Sequence, residues 1–163
     1  MHKLISAGLL GCALLATASA SAQDTIPTVG PQDGWAVHDS DKLYQELVDD
    51  VKAAAENSEL GVVTEAGPTQ AAADRGIEIP GNRVIGLFNN DYAVRILQVS
   101  TAAMIEAPIR MYVTEAPDGT ATLSYKLPTY VYEPYREEGG EALATAAEEL
   151  ETDFAAVAAA ALE

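Results

Sequence analysis

The chain has 163 residues, with 25 Asp and Glu against nine Lys and Arg, and its formal net charge is −16 at pH 7. So acidic a chain lacks the clustered Lys and Arg that nucleic acid and anionic membranes require, and we expect neither as a partner. The 48% hydrophobic content argues against disorder and predicts a packed core.

Residues 1–22 have the pattern of a secretory signal peptide: a positive charge, an apolar run and small residues before the cut. We expect cleavage between Ala22 and Gln23, a periplasmic or secreted protein, and no stable membrane insertion. Cys12 ends a Leu-Leu-Gly-Cys sequence that resembles a lipobox, so lipoprotein processing is the alternative. Residues 23–33 are polar, contain Pro and Gly, and predict a flexible leader.

The expected cleavage of the signal peptide would remove side chains that common catalytic and metal sites need. Cys12 is the single cysteine, so the processed chain has no thiol and no disulfide. His38 is then the only histidine, around which a histidine metal site or a Ser-His-Asp triad would have to be built. No glycine-rich phosphate loop occurs. We predict no metal, no cofactor and no catalytic residue; a carboxylate-dependent hydrolase is an alternative because acidic pairs are plentiful.

Residues 34–163 predict one domain, which begins with a strand, a helix and a second strand. The first strand is expected over residues 34–38. A helix then starts near Lys42, with an N-cap oxygen from one of residues 39–41. After this helix, residues 60–64 predict a short strand.

A short helix, a buried strand and a longer helix follow. Proline near the start and glycine at the end predict the short helix within residues 67–76. Residues 83–88 are apolar at nearly every position, which predicts a strand buried on both faces. We interpret Asn89 and Asn90 as structural caps of the next helix. A ligand contact at this helix start is the weaker interpretation, because Asp91 would repel an anion there.

The segment 109–126 predicts a β-hairpin. Its residues 117–119, Pro-Asp-Gly, suit a three-residue loop with a left-handed glycine. This loop places Val113 opposite Leu123, and one face of the hairpin becomes consistently apolar. Register and turn chemistry therefore agree.

The other face of the hairpin carries the candidate site. The same register places Arg110 opposite Lys126 and Tyr112 opposite Ser124. Like charges across a strand pair cost stability unless a negative group lies between them, so this face predicts a site for an anion or a carboxylate. Two alternatives remain: Glu106, Glu133 or a carboxylate of a partner neutralises the pair, or both side chains point into water.

The last two segments are aromatic and then helical. Residues 127–135, LPTYVYEPY, predict an extended segment that covers a sheet edge or lines a pocket rim with Tyr130 and Tyr132. Residues 141–162 predict a helix with a narrow seam of small and apolar residues. That seam would dock on its own domain or on a second copy of the chain.

Two stretches, 84–97 and 107–128, resemble the domain of unknown function 302 family of bacteria. The family has a strand ending in asparagine, a helix with an early alanine and a leucine four residues later, a hairpin with Asp-Gly, and a closing proline. The residues that match in order are Asn89, Ala93, Leu97, Pro108, Val113, Asp118, Gly119 and Pro128. The resemblance covers roughly residues 35–128 and makes 129–163 a C-terminal extension.

This resemblance implies an α/β fold, an α+β sandwich, often assembled as a homodimer. We expect a single mixed sheet of about five strands with helices packed on it and a C-terminal helix added. No enzymatic activity is implied. Many members have Asn-Pro where this chain has Asn89-Asn90, some have Asp-His where Glu65-Ala66 stands, and others have Pro-Cys where Pro108-Ile109 stands. A metal or thiol role at those positions would not transfer.

We therefore expect an exported binding or accessory protein whose ligand is a small anionic molecule or carboxylate. An interaction protein or structural homodimer without a ligand pocket is the main alternative. Ligand contacts are expected from Arg110, Tyr112, Ser124 and Lys126, with Tyr130 and Tyr132 at the rim.

Overall fold

The computed structural model describes residues 26–163. The predicted signal peptide, its predicted cleavage site, Cys12 and the first residues of the predicted leader lie outside the described residues. Residues 26–32 have no regular secondary structure, and a turn at residues 33–34 leads into the first strand.

Residues 26–163 form five strands, five α-helices and two short 3-10 helices. The strands are β1 Trp35–Leu43, β2 Gly61–Ala66, β3 Asn82–Phe88, β4 Ile109–Glu115 and β5 Thr120–Lys126. The helices are α1 Tyr44–Glu56, α2 Thr69–Ala73, α3 Asn90–Val99, α4 Pro128–Tyr132 and α5 Arg136–Leu162. The 3-10 helices are Ala103–Glu106 and Glu133–Tyr135.

The five strands form one sheet in the order β1-β5-β4-β3-β2, and helices α1, α3 and α5 pack together around its core. The predicted fold class is confirmed. All four strand pairings are antiparallel, where a mixed sheet was expected. Strand direction is hard to read from residues, because side chains alternate between the two faces of a sheet in either direction.

The core lies between the sheet and the helices. Alternate residues of the central strands point into it, among them Ile85, Met111 and Leu123, all without solvent exposure. Helix α5 contributes the predicted seam, which consists of Leu143, Ala147, Leu150, Phe154, Val157 and Ala161 and is buried throughout. Each large side chain buried here stabilises the fold by about 1.5–3 kcal/mol. Because all the seam residues are buried within a single copy of the chain, α5 packs on the protein's own core.

The hairpin forms with the predicted register. Val113 pairs with Leu123 and Tyr112 with Ser124. In the turn, Gly119 has a φ of 88°, a left-handed conformation that glycine adopts without steric cost. The Asp118 carboxylate accepts hydrogen bonds from both the amide and the hydroxyl of the residue after this glycine. These contacts hold the pKa of Asp118 below its usual range.

The predicted start of helix α1 is wrong. Strand β1 continues past residues 39–41 to Leu43, and α1 begins at Tyr44 without a side-chain cap. The hydroxyl of Ser40 accepts instead from the amide of Lys42, inside an irregularity of β1. Strand pairing with β5 has taken precedence over local capping chemistry.

The prediction for the tyrosine-rich segment is also wrong. Residues 127–135 are not extended; they form α4 and the second 3-10 helix. Pro128 occupies the first turn of α4, where its fixed φ suits a helix and its missing N–H costs nothing. Two prolines in nine residues had suggested extended backbone, but each marks a helix start.

Asn89 is the N-cap of α3, as the sequence predicted. Its side-chain oxygen accepts from the amides of Asp91 at 2.7 Å and Tyr92 at 3.2 Å. Its side-chain nitrogen donates to the carbonyl of Glu59 at 2.9 Å, which ties α3 to the start of β2. Asn90, predicted as a second cap, is the first helical residue, and its side chain makes no hydrogen bond among residues 26–163.

The cap gives a stability prediction with a matched control. We expect Asn89→Ala to lower the free energy of unfolding by about 1 kcal/mol or more, because two backbone N–H groups lose their acceptor. Asn90→Ala removes the same side chain one position later and should change the stability little. Urea unfolding followed by circular dichroism measures both. Equal losses in the two variants would contradict this account of the cap.

Helices α3 and α5 are joined by polar contacts as well as by packing. The Tyr92 hydroxyl donates to the Asp153 carboxylate at 2.8 Å. Arg95 lies 2.6 Å from Glu149 and stacks 5.3 Å from the centre of the Tyr92 ring. Burial of the phenol, and then the hydrogen bond to Asp153, raise the pKa of Tyr92 to about 12.

This raised pKa predicts a loss of stability at alkaline pH. The unfolded chain releases the Tyr92 proton near its ordinary pKa of 10.0, whereas the folded chain keeps it to about 12. The free energy of unfolding is therefore unaffected below pH 10 and falls as the pH rises from 10 to 12. Tyr92→Phe should make that fall shallower, because the variant has no phenol at this position to release a proton. Denaturant unfolding at several pH values tests this, and identical slopes for Tyr92→Phe and wild type would contradict it.

Candidate functional site

A cavity of about 660 Å³ lies at the end of the sheet where β4 begins and β5 ends. The strands form its floor, and α4 with the two 3-10 helices supplies the other walls. Its lining residues are Trp35, Asn82, Val84, Glu106, Ile109, Arg110, Tyr112, Tyr125, Lys126, Tyr130, Val131, Glu133 and Pro134. The volume lies in the range of small-molecule sites, and most of the lining is aromatic or aliphatic.

Sheet register brings the floor residues together. Trp35 of β1 pairs with Lys126 of β5, and Val84 of β3 pairs with Tyr112 of β4. Arg110 lies two residues before Tyr112 and so shares its face. Side chains from four strands that are far apart in the chain thus meet on one side of the sheet.

Tyr130 forms part of the rim through a contact that requires a glycine. Its ring lies against Gly34, where an added Cβ would overlap the ring. Gly34 has a φ of 75°, and its carbonyl accepts from the amide of Leu127 at 2.9 Å. The turn before β1 and the start of α4 are therefore locked together, and Tyr130 remains 50% exposed at the mouth of the cavity.

The two basic residues of the lining have no acidic partner within residues 26–163. Neither Arg110 nor Lys126 forms an ion pair or a side-chain hydrogen bond with a carboxylate there. The Lys126 ammonium lies 5.6 Å from the centre of the Trp35 ring, a cation–π contact. Both cations line one cavity. A shared cavity is what an anion or carboxylate site on this face of the hairpin would need.

Two carboxylates also line the cavity, and each has a contact outside it. One oxygen of Glu106 accepts from the Tyr135 hydroxyl at 2.7 Å. This hydrogen bond, and then burial, raise the pKa of Tyr135 above its usual value. Glu133 lies 3.4 Å from Arg136. The lining therefore carries both signs of charge.

Four of the six predicted contact residues line the cavity: Arg110, Tyr112, Lys126 and Tyr130. Ser124 does not, because it is fully buried beside Tyr112 and its hydroxyl donates to the Tyr112 carbonyl at 3.5 Å.

Tyr132 also lies away from the cavity. It is buried on the inner side of α4, and burial, followed by the charge of Glu106, raises its pKa to about 12. The α-helical geometry of α4 separates Tyr132 from Tyr130, since residues two apart point to different sides of a helix.

Several lining residues were missed from the sequence. Trp35, Val84 and Asn82 come from β1 and β3, whose pairing with the hairpin no local pattern reveals. Glu106 and Glu133 were expected only as possible counter-charges to Arg110 and Lys126; they line the same cavity but form no ion pair with either cation within residues 26–163. Trp35 carried the one usable clue, as the only tryptophan of the chain, at the start of an expected strand.

The described residues offer little else for binding or chemistry. Over residues 26–163, no group of three or more His, Cys, Asp and Glu side chains is placed to hold a metal ion. No helix in that range is both long enough and apolar enough to cross a membrane. The lining of the cavity offers charged groups able to form charge-assisted hydrogen bonds, and aromatic rings.

Comparison with known proteins places the chain in a family. Residues 36–161 match the family model described as domain of unknown function DUF302. The crystal structure of an uncharacterized conserved DUF302 protein from Bacillus stearothermophilus matches with a TM-score of 0.70 and 16% identity, over 81% of this chain and 100% of that one. The comparison with curated proteins gave no match.

The matched range extends through α4 and nearly all of α5. The segment expected to be a C-terminal extension, from residue 129 onward, thus lies largely within the match. At 16% identity the solved structure supports the fold alone. The family model covers most of the described residues, and on this evidence the chain belongs to the DUF302 family.

Proposed function

We propose that this protein binds a small carboxylate-containing molecule in the cavity at the end of the sheet. The observation that carries the proposal is the pair Arg110 and Lys126, which line one cavity and have no carboxylate partner within residues 26–163. A carboxylate between them would accept charge-assisted hydrogen bonds from both side chains.

The energetics of the hairpin support this proposal. The β4–β5 register places Arg110 and Lys126 at the ends of adjacent strands, on the same face as Tyr112 and Ser124, and like charges so placed are unfavourable in the empty protein. Only nine of the 163 residues are Lys or Arg, and the chain is otherwise strongly acidic. Two of these few cations beside one cavity, without an internal counter-charge, suit a ligand that supplies the missing negative charge.

The rest of the lining supports a ligand with an apolar part. Aromatic and aliphatic side chains form most of the lining beside the two cations, which are themselves exposed, and an apolar part of the ligand would contact these side chains. Tyr112 adds a polar contact, since its hydroxyl oxygen accepts from the side-chain nitrogen of Asn82. The hydroxyl is thereby held in one position, with its own proton left to donate to a ligand.

A structural homodimer without a ligand is the second candidate. It is favoured by apolar side chains that remain exposed on neighbouring elements: Val94 and Leu97 on α3, and Ile105, which is 78% exposed, on the first 3-10 helix. Burial of such side chains against a second copy would stabilise a dimer.

The binding proposal predicts a ligand that co-purifies with the protein. Native mass spectrometry of protein from bacterial cells that express the full chain should show an added small-molecule mass. Arg110→Ala should lose it, since a charged hydrogen bond contributes about 1.5–3 kcal/mol. Arg75→Ala removes the same charge from an exposed position near α2 and should keep it. An apo mass in all three proteins, as monomer or dimer, would contradict the proposal and favour the homodimer.

We propose further that the protein is exported to the periplasm and cut before Gln23. The same protein, recovered from the periplasmic fraction of a Gram-negative host, should have an intact mass that begins at Gln23. A mass that includes residues 1–22, or a lipid-modified Cys12, would contradict this cleavage. Replacing Ala20 and Ala22 by bulky residues should block the cut, because signal peptidases require small residues there.

A further inference from the structure

We infer that the ligand is a zwitterion, a molecule with a carboxylate, an ammonium group and an apolar body, such as an aromatic α-amino acid. This inference rests on the proposed function and specifies its ligand. The observation behind it is the charge composition of the cavity, which is lined by two cations and two carboxylates. A site for a simple anion has no use for Glu106 and Glu133.

The two signs of charge come from different elements. Arg110 and Lys126 project from the ends of β4 and β5. Glu106 and Glu133 belong to the two 3-10 helices, which the hydrogen bond from Tyr135 to Glu106 joins together. The positive groups therefore lie on the sheet side of the cavity, and the negative groups lie on the helical side.

These opposite charges do not neutralise each other. The side-chain nitrogens of Arg110 and Lys126 lie more than 4.0 Å from the carboxylate oxygens of Glu106 and Glu133, which is too far for an ion pair. Arg110 is only four residues from Glu106 in the chain, so the separation is a property of the fold. Four charges around one cavity are thus left available to a ligand with complementary charges.

Each carboxylate keeps an oxygen for a ligand. Tyr135 donates to Oε1 of Glu106, and Oε2 makes no hydrogen bond among the described residues. Glu133 has only a long contact of 3.4 Å, between its Oε2 and the exposed Arg136. An ammonium group has three donors and could bind both carboxylates at once.

Electrostatics favour a zwitterion over a simple anion. The two carboxylates in the lining repel any anion that binds near Arg110 and Lys126, and the whole chain, at −16, repels anions during approach. A zwitterion has no net charge, and its two ends pair with the two sets of charges. A zwitterion would therefore avoid repulsion by the net charge of the chain and by the two carboxylates of the lining. It would keep the hydrogen bonds at each end.

The remaining lining defines the body of the ligand. An apolar group of aromatic size can contact the rings and aliphatic side chains that separate the charged ends: Trp35, Val84, Ile109, Tyr112, Tyr125, Tyr130, Val131 and Pro134. Aromatic rings favour offset or edge-to-face contacts with one another. A benzyl or indole side chain therefore suits this cavity.

Three small probes that differ in one charged group test the inference. Trp35 is the only tryptophan and lies in the cavity, so its fluorescence reports binding there. L-phenylalanine should bind at least about tenfold more tightly than either of the other two probes. One of them, 3-phenylpropionate, lacks the ammonium group, and the other, 2-phenylethylamine, lacks the carboxylate.

Variants assign each end of the ligand to its residues. Glu106→Gln keeps an acceptor for Tyr135 and should weaken L-phenylalanine binding about tenfold, while 3-phenylpropionate binds as well as before or better. Arg110→Ala should weaken the binding of L-phenylalanine and of 3-phenylpropionate, because both carry a carboxylate. It should not weaken the binding of 2-phenylethylamine. Glu141→Gln makes the same charge change as Glu106→Gln at an exposed position of α5 and should leave the binding of all three probes unchanged.

The outcomes separate this inference from the proposed function. If 3-phenylpropionate binds as tightly as L-phenylalanine and still depends on Arg110, the ligand is a simple carboxylate; the zwitterion is overturned while carboxylate binding holds. If L-phenylalanine binds Glu106→Gln and Arg110→Ala as tightly as it binds the wild-type protein, it binds elsewhere and the inference is overturned. If no probe binds, the inference is overturned, and an apo native mass spectrum would then overturn the proposed function as well.

Discussion

The β4–β5 hairpin is the constraint on which the rest of the structure depends. Its Asp-Gly turn sets a register in which alternate residues face opposite sides of the sheet. One side supplies Met111, Val113 and Leu123 to the core. The other side supplies Arg110 and Tyr112 to the cavity. A shift by one residue would exchange the two sets, burying charge in the core and exposing the apolar residues, so core and cavity are fixed by the same turn.

The sequence predicts the parts of this molecule that depend on local chemistry. The hairpin register, the Asn89 cap and the buried seam of α5 follow from turn residues, capping oxygens and helical spacing, and each is present. Local rules failed where long-range pairing decided the outcome. Residues 39–41 resemble a helix cap, yet pairing with β5 keeps them in β1.

The cavity could be predicted only in part, for the same reason. The face with Arg110, Tyr112 and Lys126 follows from one hairpin and could be read from the residues. Trp35 and Glu106 reach the cavity through the pairing of β1 with β5 and through a short 3-10 helix, and neither leaves a periodic pattern in the sequence. The sequence therefore predicts the cations and names Glu106 and Glu133 as possible counter-charges, whereas only the folded structure shows these glutamates lining the cavity without pairing with the cations.

The contact between Gly34 and Tyr130 separates two properties of the cavity. In the proposed function, charge recognition would depend on residues at strand ends and in 3-10 helices, whereas the position of the Tyr130 ring depends on the absence of a side chain at residue 34. A larger residue at position 34 would overlap that ring and reshape the mouth of the cavity. The size of a ligand that the mouth admits and the charge that the lining would recognise therefore depend on different residues.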